Sequence, residues 1–254
     1  DAKKRIRRLN QRVFPEDSDI PADELNTTID QHFVPMAREK RPGHDDPAVS
    51  RASLKRKLRR VSFRCFPDRI PAARALGEAR GGGERLETEE GIEIVLKHVA
   101  SPRSGSEANR ILLAVQSSES SETVVRSLEG VRTEGDHVYL CVPRGIGRTR
   151  WTRKNPPNYV ERSHVLLGRT VDTGRVWDII AAARYLHGKY EGAAPVHVAG
   201  EGGGGVLAAY SALWEEDIAD VIAINPPSSH MDDEAPVFLN VLRVCDIEDV
   251  LELK

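Results

Sequence analysis

Short aliphatic runs alternate with polar breaks along the second two thirds of the chain. Residues 91–99 (GIEIVLKHV), 110–115 (RILLAV) and 136–142 (DHVYLCV) are rich in Val, Ile and Leu and predict strands. A short helix is expected near residues 122–128, between the second and third of them. From Thr173 the period changes. Val176, Ile179, Ile180, Ala183, Leu186 and Tyr190 recur at spacings of three and four, which predicts a helix over 173–190 with one apolar face, capped by Asp172 or Thr173. Residues 196–210 (VHVAGEGGGGVLAAY) read as strand, glycine turn and helix, and 220–225 (DVIAIN) as a further strand stopped by Pro226-Pro227. Strands separated by helices long enough to cross over imply an α/β fold, a mostly parallel sheet flanked by helices on both faces.

Residues 1–84 have a different texture. They are charged, Pro-rich and poor in strand patterns, and predict a helical or irregular linker arm ahead of a domain at 85–254. Within the arm, Leu54, Leu58 and Val61 have helical spacing between cationic flanks (Lys55-Arg56-Lys57, Arg59-Arg60), and Arg80-Gly81-Gly82-Gly83-Glu84 looks like a flexible joint. The basic cluster reads as the solvated face of a linker helix. No aromatic or glycine interleaving accompanies it, and 37 Lys+Arg against 39 Asp+Glu leave no excess to attract nucleic acid. Cys65, Cys141 and Cys245 are odd in number and lack ligand spacing, so neither a disulfide framework nor a metal centre is expected. No apolar run approaches the ~20 residues of a membrane span, and no signal peptide is visible. The first residue is Asp1, which reads as a fragment or a processed product.

The glycine turn allows three readings. Gly200, Gly202 and Gly205 satisfy G-x-G-x-x-G after a strand and before a helix, as in a dinucleotide-binding turn. The acid that should bind a ribose hydroxyl is missing, however. Asn225 holds its place at the end of the next strand, and Asp220 lies at that strand's beginning. Gly200, Gly202 and Gly204 instead fit the frame of a nucleophile elbow, G-x-S-x-G, with glycine at the serine position. A glycine has no oxygen to attack a carbonyl, so acyl transfer through this position is excluded. The third reading is structural: a glycine turn that lets a strand enter a helix at close range.

Residues 138–151 (VYLCVPRGIGRTRW), then Gly168-Arg169-Thr170 and Arg175-Val176-Trp177-Asp178, resemble α/β-hydrolases of the acetyl xylan esterase-like group. There a P-R-G-x-G loop, a helix carrying R-V-x-D and the elbow follow in this order. Pro226-Pro227-Ser228-Ser229-His230 is similar to the loop that follows the next strand. The resemblance implies a hydrolase fold over about 90–254 whose last strands, and the acid and histidine beyond them, lie outside the sequence. It implies no cofactor, carbohydrate esters as the ancestral substrate class and an extracellular or periplasmic setting. Pieces at Arg12-Val13-Phe14-Pro15, Ile20-Pro21-Ala22-Asp23-Glu24-Leu25-Asn26 and Phe33-Val34-Pro35 resemble the connector of tandem members, which implies an upstream hydrolase domain in the same polypeptide. With Gly202 at the nucleophile position, the expectation is a pseudo-hydrolase domain. The loop at 116–121 (QSSESS) also lacks the glycine usual in an oxyanion loop.

Other constellations are available. Ser228, Ser229, His230, Asp232 and Asp233 hold every triad residue type, so an active ester hydrolase with a displaced nucleophile stays open. Arg144, Arg148, Arg150 and Arg153 form a cationic loop at a strand's carboxyl end, where an anion could bind. Arg175 and Asp178 lie one helical turn apart and can pair. His98, His137 and His197 fall on strands.

Overall fold

The computed structural model describes residues 13–14, 16–25, 47–102, 110–117, 121–151 and 159–253, the side chains of 47–49 and 121–123 excepted. The chain divides into two compact units, residues 1–36 and 37–254. The described part of the first holds one 3-10 turn, Asp17–Asp19, closed by the Glu16 amide donating to the Asp19 carboxylate at 3.1 Å.

The second unit is built on seven strands: β1 (Arg74–Glu78), β2 (Glu84–Glu89), β3 (Ile92–Ala100), β4 (Arg110–Val115), β5 (Asp136–Val142), β6 (Val196–Glu201) and β7 (Ile218–Ile224). They lie in the order β1-β2-β3-β5-β4-β6-β7. The first three pairings are antiparallel, whereas β5, β4, β6 and β7 are parallel neighbours. The sheet is thus mixed, with the parallel part carrying the crossovers. Burial of β4 on both faces explains its unbroken run of aliphatic residues.

Six helices accompany the sheet among the described residues: α1 (Pro47–Val61), α2 (Ser121–Ser127), α3 (Tyr159–Leu166), α4 (Val171–Lys189), α5 (Gly203–Trp214) and α6 (Ile247–Leu251). On one face Ile111, Leu113, Val115, Val196 and Val198 pack with Val176, Ile179, Ala183 and Leu186 of α4 and with Val206 and Leu207 of α5. On the other, Leu112, Ala114, Val138 and Leu140 meet Val124 and Leu128. The start of α4 lies slightly earlier than its apolar period suggests. Thr170 is the cap, its hydroxyl accepting from the Thr173 amide at 3.1 Å while the Thr170 amide donates to the Thr173 hydroxyl at 3.0 Å.

The expected change from arm to domain at residue 84 is not where the packing changes. Leu58, Phe63, Phe66 and Ile70 belong to the main core. Phe63 is a hub, its ring centroid lying 5.0 Å from Phe66, 5.6 Å from Tyr210, 5.3 Å from Trp214 and 5.1 Å from Phe238. The cations of α1 have a local task as well. Arg51 donates to the Ala212 carbonyl and Lys55 to that of Trp214 at 3.2 Å, which places positive charge on the free carbonyls ending α5. The glycine run at 81–83 is the turn of the β1–β2 hairpin rather than a joint. The Ala79 amide donates to the Gly83 carbonyl at 2.9 Å, and all three glycines take φ near +90°.

A buried ionic network ties the hairpin to the crossover. Asp178, with no accessible surface, accepts from the Arg144 amide at 2.9 Å, from the Arg144 guanidinium at 2.9 and 2.7 Å, and from the Thr88 hydroxyl. Glu89 accepts from Arg144 at 2.9 Å and from both terminal nitrogens of Arg169 at 2.8 and 3.0 Å. The pair expected between Arg175 and Asp178 is therefore replaced. Arg175 bonds Asp172 at 2.9 Å and the Arg144 carbonyl at 3.1 Å, because Asp178 points inward to satisfy a buried guanidinium.

Candidate functional site

The glycine turn lies at the carboxyl end of the parallel strands, between β6 and α5. Gly202 has φ +56° and ψ −128°, backbone that an L side chain adopts only under strain. Its amide donates to the Ile224 carbonyl of β7 at 2.8 Å, and its own carbonyl accepts from the Gly205 amide at 3.1 Å. This is a sharp elbow held at both ends.

The glycines around it differ in what they make room for. A Cβ on Gly200 would overlap the Gly204 carbonyl and come within 2.6 Å of the Gly205 nitrogen. One on Gly205 would lie 2.9 Å from the Gly200 oxygen and 3.1 Å from Ala223, and one on Gly204 would lie 3.2 Å from the Val115 oxygen and 3.3 Å from Ser117. These three are glycine so that helix and strand can touch. Around Gly202 no atom lies within 4 Å of the Cβ position. The fourth position of the frame is open, and it is the one that G-x-S-x-G gives to the nucleophile.

Beside the turn, Glu201 receives the Ser127 hydroxyl at 2.7 Å, and the Gln116 amide donates to the Cys141 carbonyl at 3.0 Å. That amide is committed to the sheet rather than aimed at the elbow. Residues 118–120 of the loop singled out for its lack of glycine lie outside the described residues.

The serine, histidine and aspartate cluster is assembled differently from a triad. The Ser228 hydroxyl donates to Asp232 at 3.1 Å and the Ser229 hydroxyl to Asp246 at 2.6 Å, so each serine faces a carboxylate and not the imidazole. His230 Nδ1 lies 3.1 Å from the Pro236 carbonyl, which can only accept, so Nδ1 carries the proton. Nε2 then accepts from the Tyr210 hydroxyl at 2.9 Å. Burial lowers the pKa of His230 and favours this neutral form. Burial alone would raise the Asp246 carboxyl, but hydrogen bonds from the Ser229 hydroxyl and the His230 and Ile247 amides outweigh it and hold the group low. Tyr210 and Asp246 were not singled out in the sequence. The one local signal was the D-x-x-D box by which Asp246 caps α6.

A phosphate-binding turn meets two obstacles here. The Glu234 carbonyl and Pro236 stand over the first turn of α5, the oxygen 2.9 Å from where a Gly203 Cβ would be. Asp220 lies near the start of β7, at its third residue, with its side chain more than half exposed, and Asn225 follows the strand with φ +45°. Of the expected cationic loop, Arg144 is absorbed by the buried network, Arg148 donates to the Arg80 carbonyl at 3.2 Å, and Arg153 lies outside the described residues.

A solved structure with a similar fold covers most of the chain. It is a protein assigned as an acetyl xylan esterase from Bacteroides fragilis, matched with a TM-score of 0.58 at 10% identity over 85% of this chain and 70% of that one. The fold is that of the α/β-hydrolases. Acetyl xylan esterase 1 from Thermoanaerobacterium is also similar, at a TM-score of 0.46 and 16% identity over 83% of this chain and 76% of that one. So is an α/β serine hydrolase from Xanthomonas campestris, at a TM-score of 0.40 and 17% identity over 66% of each chain. The chain therefore spans only part of the hydrolases it resembles. No family model matches it, and no curated protein is similar to it at a significant level. The turn at 200–205 joins β6 to α5, and β1 and β2 form the antiparallel margin of the sheet. No helix among the described residues is long and apolar enough to cross a membrane.

Proposed function

We propose that this chain forms a non-catalytic α/β-hydrolase-like domain that serves as a scaffold or accessory to an active esterase domain, upstream in the same polypeptide. One observation carries the reading: the elbow at Gly202 keeps the strained backbone and the open side-chain position of a nucleophile, yet holds glycine. Maintaining that backbone costs free energy wherever it occurs, about 1–3 kcal/mol for a residue other than glycine. A glycine retains the turn while removing both the strain and the reactive oxygen. The hydroxyls of Ser228 and Ser229 offer no replacement, since each is bonded to a carboxylate and both ring nitrogens of His230 are engaged. Carbohydrate esters, the substrate class implied by the resemblance, belong to the partner domain on this reading.

The test uses the purified chain with a serine-directed fluorophosphonate and with activated acyl esters. Neither covalent labelling nor turnover above the buffer rate is expected. Labelling that maps to Ser228 or Ser229 and disappears in the matching alanine variant would establish the displaced-nucleophile alternative. Saturable binding of NAD or FAD in a calorimetric titration would establish the nucleotide-binding one. The accessory role is tested in the longer polypeptide, where deleting residues 37–254 is expected to lower the stability or solubility of the esterase domain.

A further inference from the structure

A second cluster of chemistry-bearing side chains lies at the other end of the sheet. In the register of the parallel strands, His137 and Val196 both align with Ile111, whereas the elbow residue Gly200 aligns with Val115. His137 is thus at the amino end of β5, four residues of strand away from the elbow level. His98 pairs with Tyr139 across the antiparallel β3–β5 ladder, and Tyr139 and His137 are two apart on β5, so all three project from the same face. The two imidazole centroids are 5.9 Å apart with their planes inclined by 36°. His98 is exposed and His137 half-buried.

We propose that His98 and His137 form a two-imidazole site for a divalent transition-metal ion of borderline softness, Zn2+ or Cu2+, completed by water. Two imidazoles bound to one ion through nitrogens at about 2.0–2.1 Å hold their ring centroids roughly 5–6 Å apart, the separation found here. Imidazole is the ligand type that suits these ions. The surroundings of His137 also match those of a ligand histidine. Its Nδ1 lies 3.1 Å from the Tyr190 hydroxyl, which lies 2.8 Å from the Tyr139 hydroxyl. With Nδ1–H donating to Tyr190, Nε2 keeps its lone pair for a metal, and the ring is fixed by an outer hydrogen bond as metal-bound imidazoles usually are. The Tyr139 ring stacks on His98 with centroids 4.7 Å apart and supports the second ligand. Other charges facing the cluster are already paired: Lys189, over the Tyr139 ring, is bonded to Glu84 at 3.1 Å, and the Tyr185 hydroxyl donates to the same carboxylate at 2.7 Å. The Ser101 hydroxyl lies 3.4 Å from Nε2 of His98, which leaves Nδ1 of that ring for the ion.

The test is isothermal titration of the whole chain with Zn2+ at pH 7.5, alongside the electron paramagnetic resonance spectrum of the Cu2+ complex. One ion per chain is expected, with the copper signal split by two nitrogens. His98→Ala and His137→Ala should each weaken Zn2+ binding more than about tenfold and leave a one-nitrogen copper signal, while Tyr190→Phe should weaken it up to about tenfold with both nitrogens kept. Each variant is checked for an unchanged circular dichroism spectrum, and His98→Gln, at an exposed position, replaces any that misfolds. Unsaturable heats in the wild-type chain, or a Zn2+ isotherm unchanged in the His98→Ala/His137→Ala double variant, would overturn the proposal.

Discussion

Alanine substitutions at Gly200 and Gly202, two residues apart in one turn, separate a glycine required by packing from one required only by its backbone angle. At Gly202 the new methyl group enters open space, so the cost is the positive φ alone, about 1–3 kcal/mol. At Gly200 the methyl group would overlap the Gly204 carbonyl, a backbone group that cannot rotate away, and β6 and α5 would have to separate. Losses above about 4–5 kcal/mol arise from such clashes, and a domain typically has about 5–15 kcal/mol in all. Urea unfolding followed by the fluorescence of Trp177 and Trp214 measures both. Gly202→Ala should lower the midpoint by roughly 0.5–1 M at unchanged slope, and Gly200→Ala should leave little folded protein. Equal losses at the two sites, or a Gly200→Ala variant within about 1 kcal/mol of the wild type, would refute the distinction between open and packed glycines. Gly202→Ser extends the argument: it restores a hydroxyl at the elbow, yet His230 is held by Tyr210 and Pro236, so no ester turnover is expected. Appearance of turnover would show that a competent base does stand over the elbow.

Asp178→Asn removes the charge that faces the buried Arg144 guanidinium and should cost about 3–5 kcal/mol in urea unfolding; a loss below about 1 kcal/mol would refute the weight given to that network. Glu89, flanked by Arg169 and Arg144, has its carboxyl pKa lowered to about 2 from 4.5. The folded state therefore binds its proton less readily than the unfolded chain, and the resulting stability of about 2–3 kcal/mol, discounted for partial exposure, is present above about pH 5 and lost as the pH falls from about 4.5 towards 2. Unfolding free energies of wild type and Glu89→Gln should differ most at pH 6, by about half as much at pH 3, and converge only at about pH 2 and below. Phe63→Ala should destabilise the sheet unit by about 3–5 kcal/mol although it lies well before the first strand, and a chain lacking residues 1–36 should still unfold in one cooperative transition by calorimetry.

The parallel half of the fold was readable from the sequence because each of its elements satisfies a local rule. Residues 111–115 are buried on both faces and are uniformly aliphatic, and α4 shows a three-and-four period because one of its sides meets the sheet. The glycine frame at 200–205 was equally legible, since only glycine tolerates the close approach at Gly200 and Gly205. The sequence alone also determined that Gly202 brings no nucleophile, a matter of composition that no folding can alter. The antiparallel margin was hidden: β1 (RALGE) is short, polar and hardly buried, so its charges read as part of a linker, and β2 (ERLETE), at the start of the expected domain, carries too many charges to show a strand pattern. Tertiary structure alone decided which of four adjacent glycines is open, that Asp178 serves Arg144 rather than Arg175, and that the Ser229 hydroxyl goes to Asp246 while the His230 ring goes to Tyr210 and Pro236. It also brought His98 and His137 onto one face from adjacent strands. Each of these depends on which distant backbone or charge arrives beside a residue, and local periodicity carries no record of that.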